Sequence, residues 1–297
     1  MIRIGTRKSK LALWQAHKVQ EELNALGQTS ELVLIESEGD KVLDTPLPLI
    51  GGKGVFTKAL DDALIEGKID LAVHSHKDIP TELPEGITIC SVMERGNPFD
   101  VLVVRKHSDF LNDKDYAGLI ATSSNRRKSQ WIDRYKKHST CNIRGNVQTR
   151  IKKLRESNWD GAIFAAAGLE RLELSHEIAM VLDWMIPAPA QGAIAVVCRE
   201  DDNEIKKLLE NINDQETRTV AKAEREVLKV LEGDCDTAVG VFAKSNGKKL
   251  DLLTELFSVD GKNRYFIKKS LQKDNIEATS RMVGEELKSK SKGSYKN

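Results

Sequence analysis

The chain has 297 residues, of which 40% are hydrophobic, 31% charged and only 5% aromatic, with a formal net charge of +1. That length and apolar content suffice for two or three domains with cores of their own, and the near-neutral balance gives no global argument for nucleic acid or an anionic membrane as a partner. No apolar run reaches the roughly 18 residues of a membrane span, and the charge-studded start MIRIGTRKSKLALW does not read as a signal peptide, so the expectation is a cytoplasmic globular protein.

Ile2 to Gly5 reads as a short strand, and Lys10 to Leu26 as a helix whose Ala12, Ala16, Val19, Leu23 and Leu26 recur at helical spacing. A strand at Glu31 to Glu36, a Gly-rich turn IGGKG, a helix near Thr57 to Glu66 and an apolar strand opening DLAVHSHKDIP follow. Strands alternating with helices predict an α/β fold with a largely parallel sheet. The chain also echoes itself. IGTRKSKLALWQ (Ile4 to Gln15) resembles IATSSNRRKSQW (Ile120 to Trp131), and DLAVHS (Asp70 to Ser75) resembles DGAIFAAAG (Asp160 to Gly168), which predicts two similar α/β lobes. PAPAQGAIAVVCR, Pro187 to Arg199, is either the return of the chain to the first lobe or a simple loop. Beyond Asp214 an amphipathic helix (Glu216 to Leu231), three antiparallel strands and a last helix predict a smaller α+β domain, with the tail SKSKGSYKN disordered. Cys90, Cys141, Cys198 and Cys235 are widely spaced, without C-x-x-C, and read as reduced and mostly buried thiols.

Ligands of open α/β sheets bind beyond the carboxyl ends of the strands, and the polar clusters of this chain fall there. Arg7 and Ser9 follow the first strand, Ser75, Lys77 and Asp78 the third. Thr122 to Arg127, including Ser124, follow the first strand of the second lobe, with Arg144, Asn146 and Arg150 beyond the next. Arg126 and Arg127 in the first turn of a helix are unfavourable against the helix dipole unless an anion meets them, which points to an acidic ligand. Arginine suits bidentate carboxylate recognition. IGGKGVF lacks the phosphate-loop frame and reads as a loop that brings Lys53 over the cleft. His74 and His76 fall on one side of an extended chain, but no third ligand lies nearby, so structural histidines are favoured and no metal is expected. Asp78 reads either as a carboxylate for cations and N–H donors or as a salt-bridge partner of Lys77 or an arginine. Cys235, in the polar turn LEGDCDTAVG, is either incidental or covalently used.

GTRKSKLALWQA, DTPL with GGKGVFTKAL, AVHSHKDIP, TSSNRR, IRGNVQTR, PAPAQGA and EGDC, in this order and at these separations, closely resemble the porphobilinogen deaminase (hydroxymethylbilane synthase) family through about Gly240. The resemblance implies an enzyme of tetrapyrrole synthesis that joins four porphobilinogen molecules head to tail into hydroxymethylbilane on a covalent dipyrromethane cofactor. It implies a monomer of three domains; the near-neutral charge leads to the expectation of no nucleic-acid or membrane partner. Two are lobes like the type II periplasmic binding proteins, 1–95 with 192–213 and 96–191, and 214–297 is a C-terminal cofactor-attachment domain.

Carried over onto this sequence, Cys235 would hold the cofactor by a thioether and Asp78 would be the catalytic carboxylate. Lys77, Ser75, Thr122, Ser124, Arg126, Arg127, Arg144 and Asn146 would bind the cofactor. Arg7, Ser9, Lys53, Arg150, Arg171 and Gln191 would bind substrate, Lys53 and Gln191 at the cleft edge. Against the family pattern, Asp234 and Asp236 flank Cys235, Ala238 replaces a proline, His76 replaces an apolar residue, and Phe99 stands where an arginine is common, which removes a salt bridge near the lobe junction. Two other readings compete. A dicarboxylate-binding protein predicts no role for Cys235, and a nucleic-acid module is disfavoured by the near-neutral charge and the lack of interleaved aromatics.

Overall fold

The computed structural model describes residues 1–37, 54, 57–233 and 237–296, which separate into two compact units, 1–96 with 192–221, and 97–191 with 222–297.

In the first unit, β1 (Ile2–Thr6), β2 (Ser30–Leu34), β3 (Leu71–Ser75), β4 (Ile87–Val92) and β10 (Ile194–Arg199) form one sheet in the order β2-β1-β3-β10-β4. The first three strands are parallel and β10 runs antiparallel to both of its neighbours. The segment after Pro187 is therefore a return to the first lobe. Strand alternation supplies two apolar faces. Leu71, Val73, Ile194 and Val196 pack with Val19 and Leu23 of α1 (Lys10–Ala25), while Ala72, Ala195 and Val197 pack with Leu60 and Leu64 of α2 (Lys58–Ile65).

Cys90 and Cys198 are joined as a disulfide, so these two are not the reduced thiols expected from their spacing; Cys141 is free. Inserting β10 beside β4 brings together residues 108 apart in sequence. Because the cross-link closes so long a loop, its reduction is expected to lower stability by about 2–4 kcal/mol, or on the order of 10 °C in Tm, in paired melts with and without reductant. Equal melting temperatures would show that the bond contributes nothing.

In the second unit, β5 (Asp100–Val104), β6 (Leu119–Ala121), β7 (Ser139–Cys141), β8 (Gly161–Ala165) and β9 (Met180–Leu182) take the order β7-β6-β8-β5-β9. Again three parallel strands are followed by antiparallel pairings. The two faces are covered by α3 (Asn125–Arg134), through the fully buried Trp131, and by α4 (Val147–Glu156), through Ile151 and Leu154. The sequence echo is a structural one. Asp70 accepts a hydrogen bond from Arg3 N at 2.9 Å and Asp160 accepts one from Leu119 N at 2.8 Å, so each acid-started strand is tied to its parallel neighbour in the same way.

Helix α5 (Ala166–Glu170) follows β8, α6 (Asn203–Leu209) follows β10, and α7 (Gln215–Val230) leads into a separate antiparallel sheet of β11 (Val239–Asn246), β12 (Lys249–Phe257) and β13 (Arg264–Gln272), backed by α8 (Ile276–Ser291). The fold is thus mixed α/β with a smaller C-terminal α+β sheet. Phe99 packs its ring against Phe242 of β11, centroids 5.7 Å apart, an aromatic contact at the position where a salt bridge was expected to be lost. The tail is ordered through Lys296, not disordered: Tyr295 is buried and its hydroxyl donates to Leu231 O at 3.2 Å. Its many lysines and glycine conceal one aromatic side chain with a place in the core.

Candidate active site

In the first unit the expected residues stand at the carboxyl ends of two adjacent parallel strands. Arg7 and Ser9 follow β1. Ser75 ends β3, and Lys77 and Asp78 lie on the one-turn 3-10 helix His76–Asp78 immediately after it. Ser9 caps α1, its Oγ accepting from Ala12 N at 3.2 Å, and Ser75 Oγ accepts from Gln15 Nε2 at 2.9 Å. His74 is buried, and that burial, with Arg7 nearby, pushes its pKa down to about 4, so it is neutral near pH 7. No group of three His, Cys, Asp or Glu side chains among the described residues is arranged to hold a metal ion. Lys53, Cys235 and its flanking Asp234 and Asp236 lie outside the described residues.

In the second unit the corresponding edge carries Thr122 and Ser124 after β6, Arg144 and Asn146 after β7, Arg150 in the first turn of α4 and Arg171 at the end of α5. Thr122 Oγ1 accepts from Ser124 N at 3.2 Å, Ser124 Oγ from Arg127 N at 3.4 Å and Asn146 Oδ1 from Thr149 N at 2.9 Å. Each of these oxygens is thus used as an acceptor by the protein, as are those of Ser9 and Ser75. What remains on each side chain is a donor, an O–H or, for Asn146, an amide N–H. Arg150 Nε donates to Gly145 O at 2.6 Å, and burial pushes the Arg171 guanidinium down to about 10, still charged near pH 7.

The anion that meets the α3 arginines belongs to the chain itself. Asp100, the fully buried first residue of β5, accepts from Arg126 Nη1 at 2.6 Å and from Arg127 Nε and Nη2 at 2.9 and 2.7 Å. Arg127 Nη1 donates to Ile163 O at 3.1 Å and Arg126 Nη1 to Ile186 O at 2.9 Å, whereas Arg126 Nε and Nη2 make no hydrogen bond among the described residues. Burial would raise the Asp100 pKa, but the two guanidinium groups outweigh it and hold the carboxyl well below the usual range. Gln191, expected at the cleft edge, is instead fully buried, donating to Pro98 O at 2.8 Å and to Asp100 Oδ1 at 3.0 Å. Sequence reasoning passed over Asp100. Its one signal is an acid opening an apolar strand, DVLVV, as Asp70 and Asp160 do.

Two α/β sheets whose parallel edges carry arginines, a lysine and donor-presenting hydroxyls define a class of protein that binds acidic ligands at strand ends. Comparison with known proteins makes the assignment specific. The family model described as porphobilinogen deaminase, dipyromethane cofactor binding domain, matches residues 2–207, and that of the porphobilinogen deaminase C-terminal domain matches 218–290. Porphobilinogen deaminase of Trichlorobacter lovleyi is 43% identical over 265 residues, 88% of this chain and 84% of that protein. The Syntrophobacter fumaroxidans enzyme is 40% identical over 291 residues, 97% and 94% of the two chains, and the chloroplastic enzyme of Oryza sativa 42% over 251 residues, 82% and 70%. The chain belongs to the porphobilinogen deaminase family, whose larger domain binds a dipyrromethane cofactor. Among solved structures it is similar to the methionine-binding protein MetQ, at 14% identity and a TM-score of 0.46, over 75% of this chain and 94% of that one.

Proposed function

We propose that this chain deaminates porphobilinogen and joins four units head to tail into hydroxymethylbilane, with Cys235 holding the dipyrromethane cofactor through a thioether and Asp78 as the catalytic carboxylate. The observation that carries this reading is the donor set. Ser9, Ser75, Thr122, Ser124 and Asn146 each have their oxygen engaged by a protein N–H, leaving donors for the acetate and propionate groups of a pyrrole chain. That chemistry fits the cofactor, which when bound supplies the pyrrole carbon onto which substrate is added.

Lys77, Ser75, Thr122, Ser124, Arg126, Arg144 and Asn146 hold the cofactor carboxylates. Arg126 offers its Nε and Nη2 directly, while Arg127 acts largely by fixing Asp100 and the start of α3. Arg7, Ser9, Lys53, Arg150 and Arg171 bind the carboxylates of incoming substrate, and Gln191 acts through Asp100 as a positioning residue. Asp78 accepts the pyrrole N–H of the substrate and stabilises the positive charge that develops as ammonia leaves, a role only an ionised carboxylate fills. We assign the protein to the cytoplasm as a monomer, without nucleic-acid or membrane partners; no helix among the described residues is long and apolar enough to cross a membrane.

The test is the intact mass of the purified protein beside that of Cys235→Ser. An excess equal to two linked pyrrole units, present in the first and missing from the second, is the expected result. If wild type shows the bare chain mass even after incubation with porphobilinogen, the dicarboxylate-binding reading replaces this one.

A further inference from the structure

We propose that Cys90 and Cys198 form a reversible redox site, read by a thiol–disulfide couple of the glutathione class, whose oxidised form holds the turn carrying Asp78 in place and so sets the turnover rate. This rests on Asp78 being the catalytic carboxylate. The ladder between β4 and β10 is built to make the bond. Thr88 lies opposite Cys198 and Ile89 opposite Val197, so an uninterrupted ladder would set Cys90 opposite Val196; Ser91 takes that place instead, and Cys90 is the extra residue of a β-bulge. Without the bulge the two cysteines would be diagonal neighbours about 7–8 Å apart, beyond the usual span of a disulfide. With it their Cα atoms are 6.2 Å apart, and both side chains lie among Val73, Ile194 and Val196 on the face that packs against α1.

Strand β10 connects this bond to the candidate site. At its start Ile194 lies opposite Ser75, Ala193 O accepts from His76 N at 3.0 Å, and Ile194 O accepts from Met93 N at 3.0 Å. One side of β10 therefore supports the end of β3 and the 3-10 turn His76–Asp78, and the other side meets the end of β4. As the last strand of its sheet, β4 is held on its outer side by Asn213 Oδ1, which accepts from Val92 N at 3.0 Å, and by Arg218 Nη1, which donates to Cys90 O at 2.9 Å. The disulfide is the covalent tie between this anchored edge and the strand that supports Asp78. Reduced, both thiols stay in an apolar cluster, where cysteine packs as a small hydrophobe, so the fold persists while the brace is lost. Disulfides of cytoplasmic proteins, where present, are mostly transient or redox-sensing, which fits the assigned compartment.

Reduction proceeds by two exchanges. A thiolate of the couple bonds to Sγ of Cys90, 7% exposed against 0% for Cys198, as the Cys90–Cys198 bond breaks and Cys198 leaves as a thiolate that takes up a proton. A second thiolate of the couple attacks the mixed disulfide, releasing Cys90 and forming the disulfide of the couple, so two electrons pass from reductant to protein. Oxidised glutathione drives the reverse.

The experiment equilibrates the purified full-length enzyme in glutathione buffers from fully oxidised to fully reduced, well below its melting temperature. Free thiols are counted by alkylation after denaturation, and turnover is measured on the same samples. The expected result is a gain of two thiols, with kcat falling at least about threefold over the same buffer range and KM staying within about twofold, because the Asp78 turn shifts while the carboxylate-binding donors remain. Cys90→Ala with Cys198→Ala is expected to hold the reduced rate at every buffer setting, and Cys141→Ala to titrate like wild type; should the double variant fail to fold, the wild-type titration decides alone. A kcat that stays level while two thiols appear, or a thiol count that never changes by two, overturns the proposal. An Asp78→Ala variant as active as wild type refutes the reading of Asp78 on which this rests, whereas an inactive Asp78→Ala beside a redox-insensitive wild type refutes the redox site alone.

Discussion

Asp78→Ala is expected to bind porphobilinogen within a few-fold of wild type while turnover falls by about 10²–10³, the usual effect of removing a group that stabilises charge developing in the transition state. The placement of Asp78 supports this. It lies on a single 3-10 turn directly after β3, beside the end of β1, with Lys77 and Ser75 adjacent in the chain. On the proposed reading the neighbouring donors would bind carboxylates in ground and transition states alike, whereas a carboxylate would meet the charge formed only as ammonia leaves. Steady-state hydroxymethylbilane formation, measured beside substrate binding, decides the matter. Near-normal rates from the alanine variant would remove Asp78 from the chemistry, and Asp78→Glu should recover part of the loss.

Asp100→Asn is expected to cost about 3–5 kcal/mol of stability, because it leaves two buried guanidinium groups without their counter-charge. The pH dependence follows from the same contacts. The carboxyl is held below its unfolded value, so its stabilisation is fully present above roughly pH 4 and is lost as pH falls toward the folded-state value. Thermal melts from neutral pH down to pH 2 should show wild type losing stability in that window and the asparagine variant, already weakened, losing less. A variant that melts like wild type at neutral pH would mean that Arg126 and Arg127 do not depend on Asp100. Turnover of the surviving folded fraction should also fall, since the start of α3 presents Ser124 and Arg126 together.

Much of this was legible in the sequence because it is local. The helical spacing in Lys10 to Leu26 yields α1 at Lys10–Ala25, and the apolar alternation of DLAVHS yields β3 ending at Ser75. Ser9, Ser124 and Asn146 announce helix starts through residue type alone, since a side-chain oxygen there satisfies a backbone N–H that the helix cannot. The echo of Ile4 to Gln15 in Ile120 to Trp131 marks two sheets built on one plan, as the matching strand orders demonstrate. The order of motifs from GTRKSK to EGDC resembled a family to which the chain belongs.

What depended on distant strands was not legible. Nothing near Arg126 and Arg127 in the chain shows that Asp100 will neutralise them, because the encounter requires β5 to lie beside β8 and α3 to pack over that sheet. Gln191 stands as a substrate-binding residue at the cleft edge on the resemblance until the same carboxylate is seen to take up its amide. Cys90 and Cys198 read as separate thiols until β10 is placed beside β4, and Tyr295 as part of a lysine-rich tail until Leu231 O is found to receive its hydroxyl. The sequence by itself determined the elements, their caps and the polar residues delivered to the strand ends, since those follow from dihedral preference, periodicity and chain polarity. The tertiary structure alone decided which charges neutralise one another and which donors remain for a ligand, because burial and strand order set the cost of leaving a polar group unpaired.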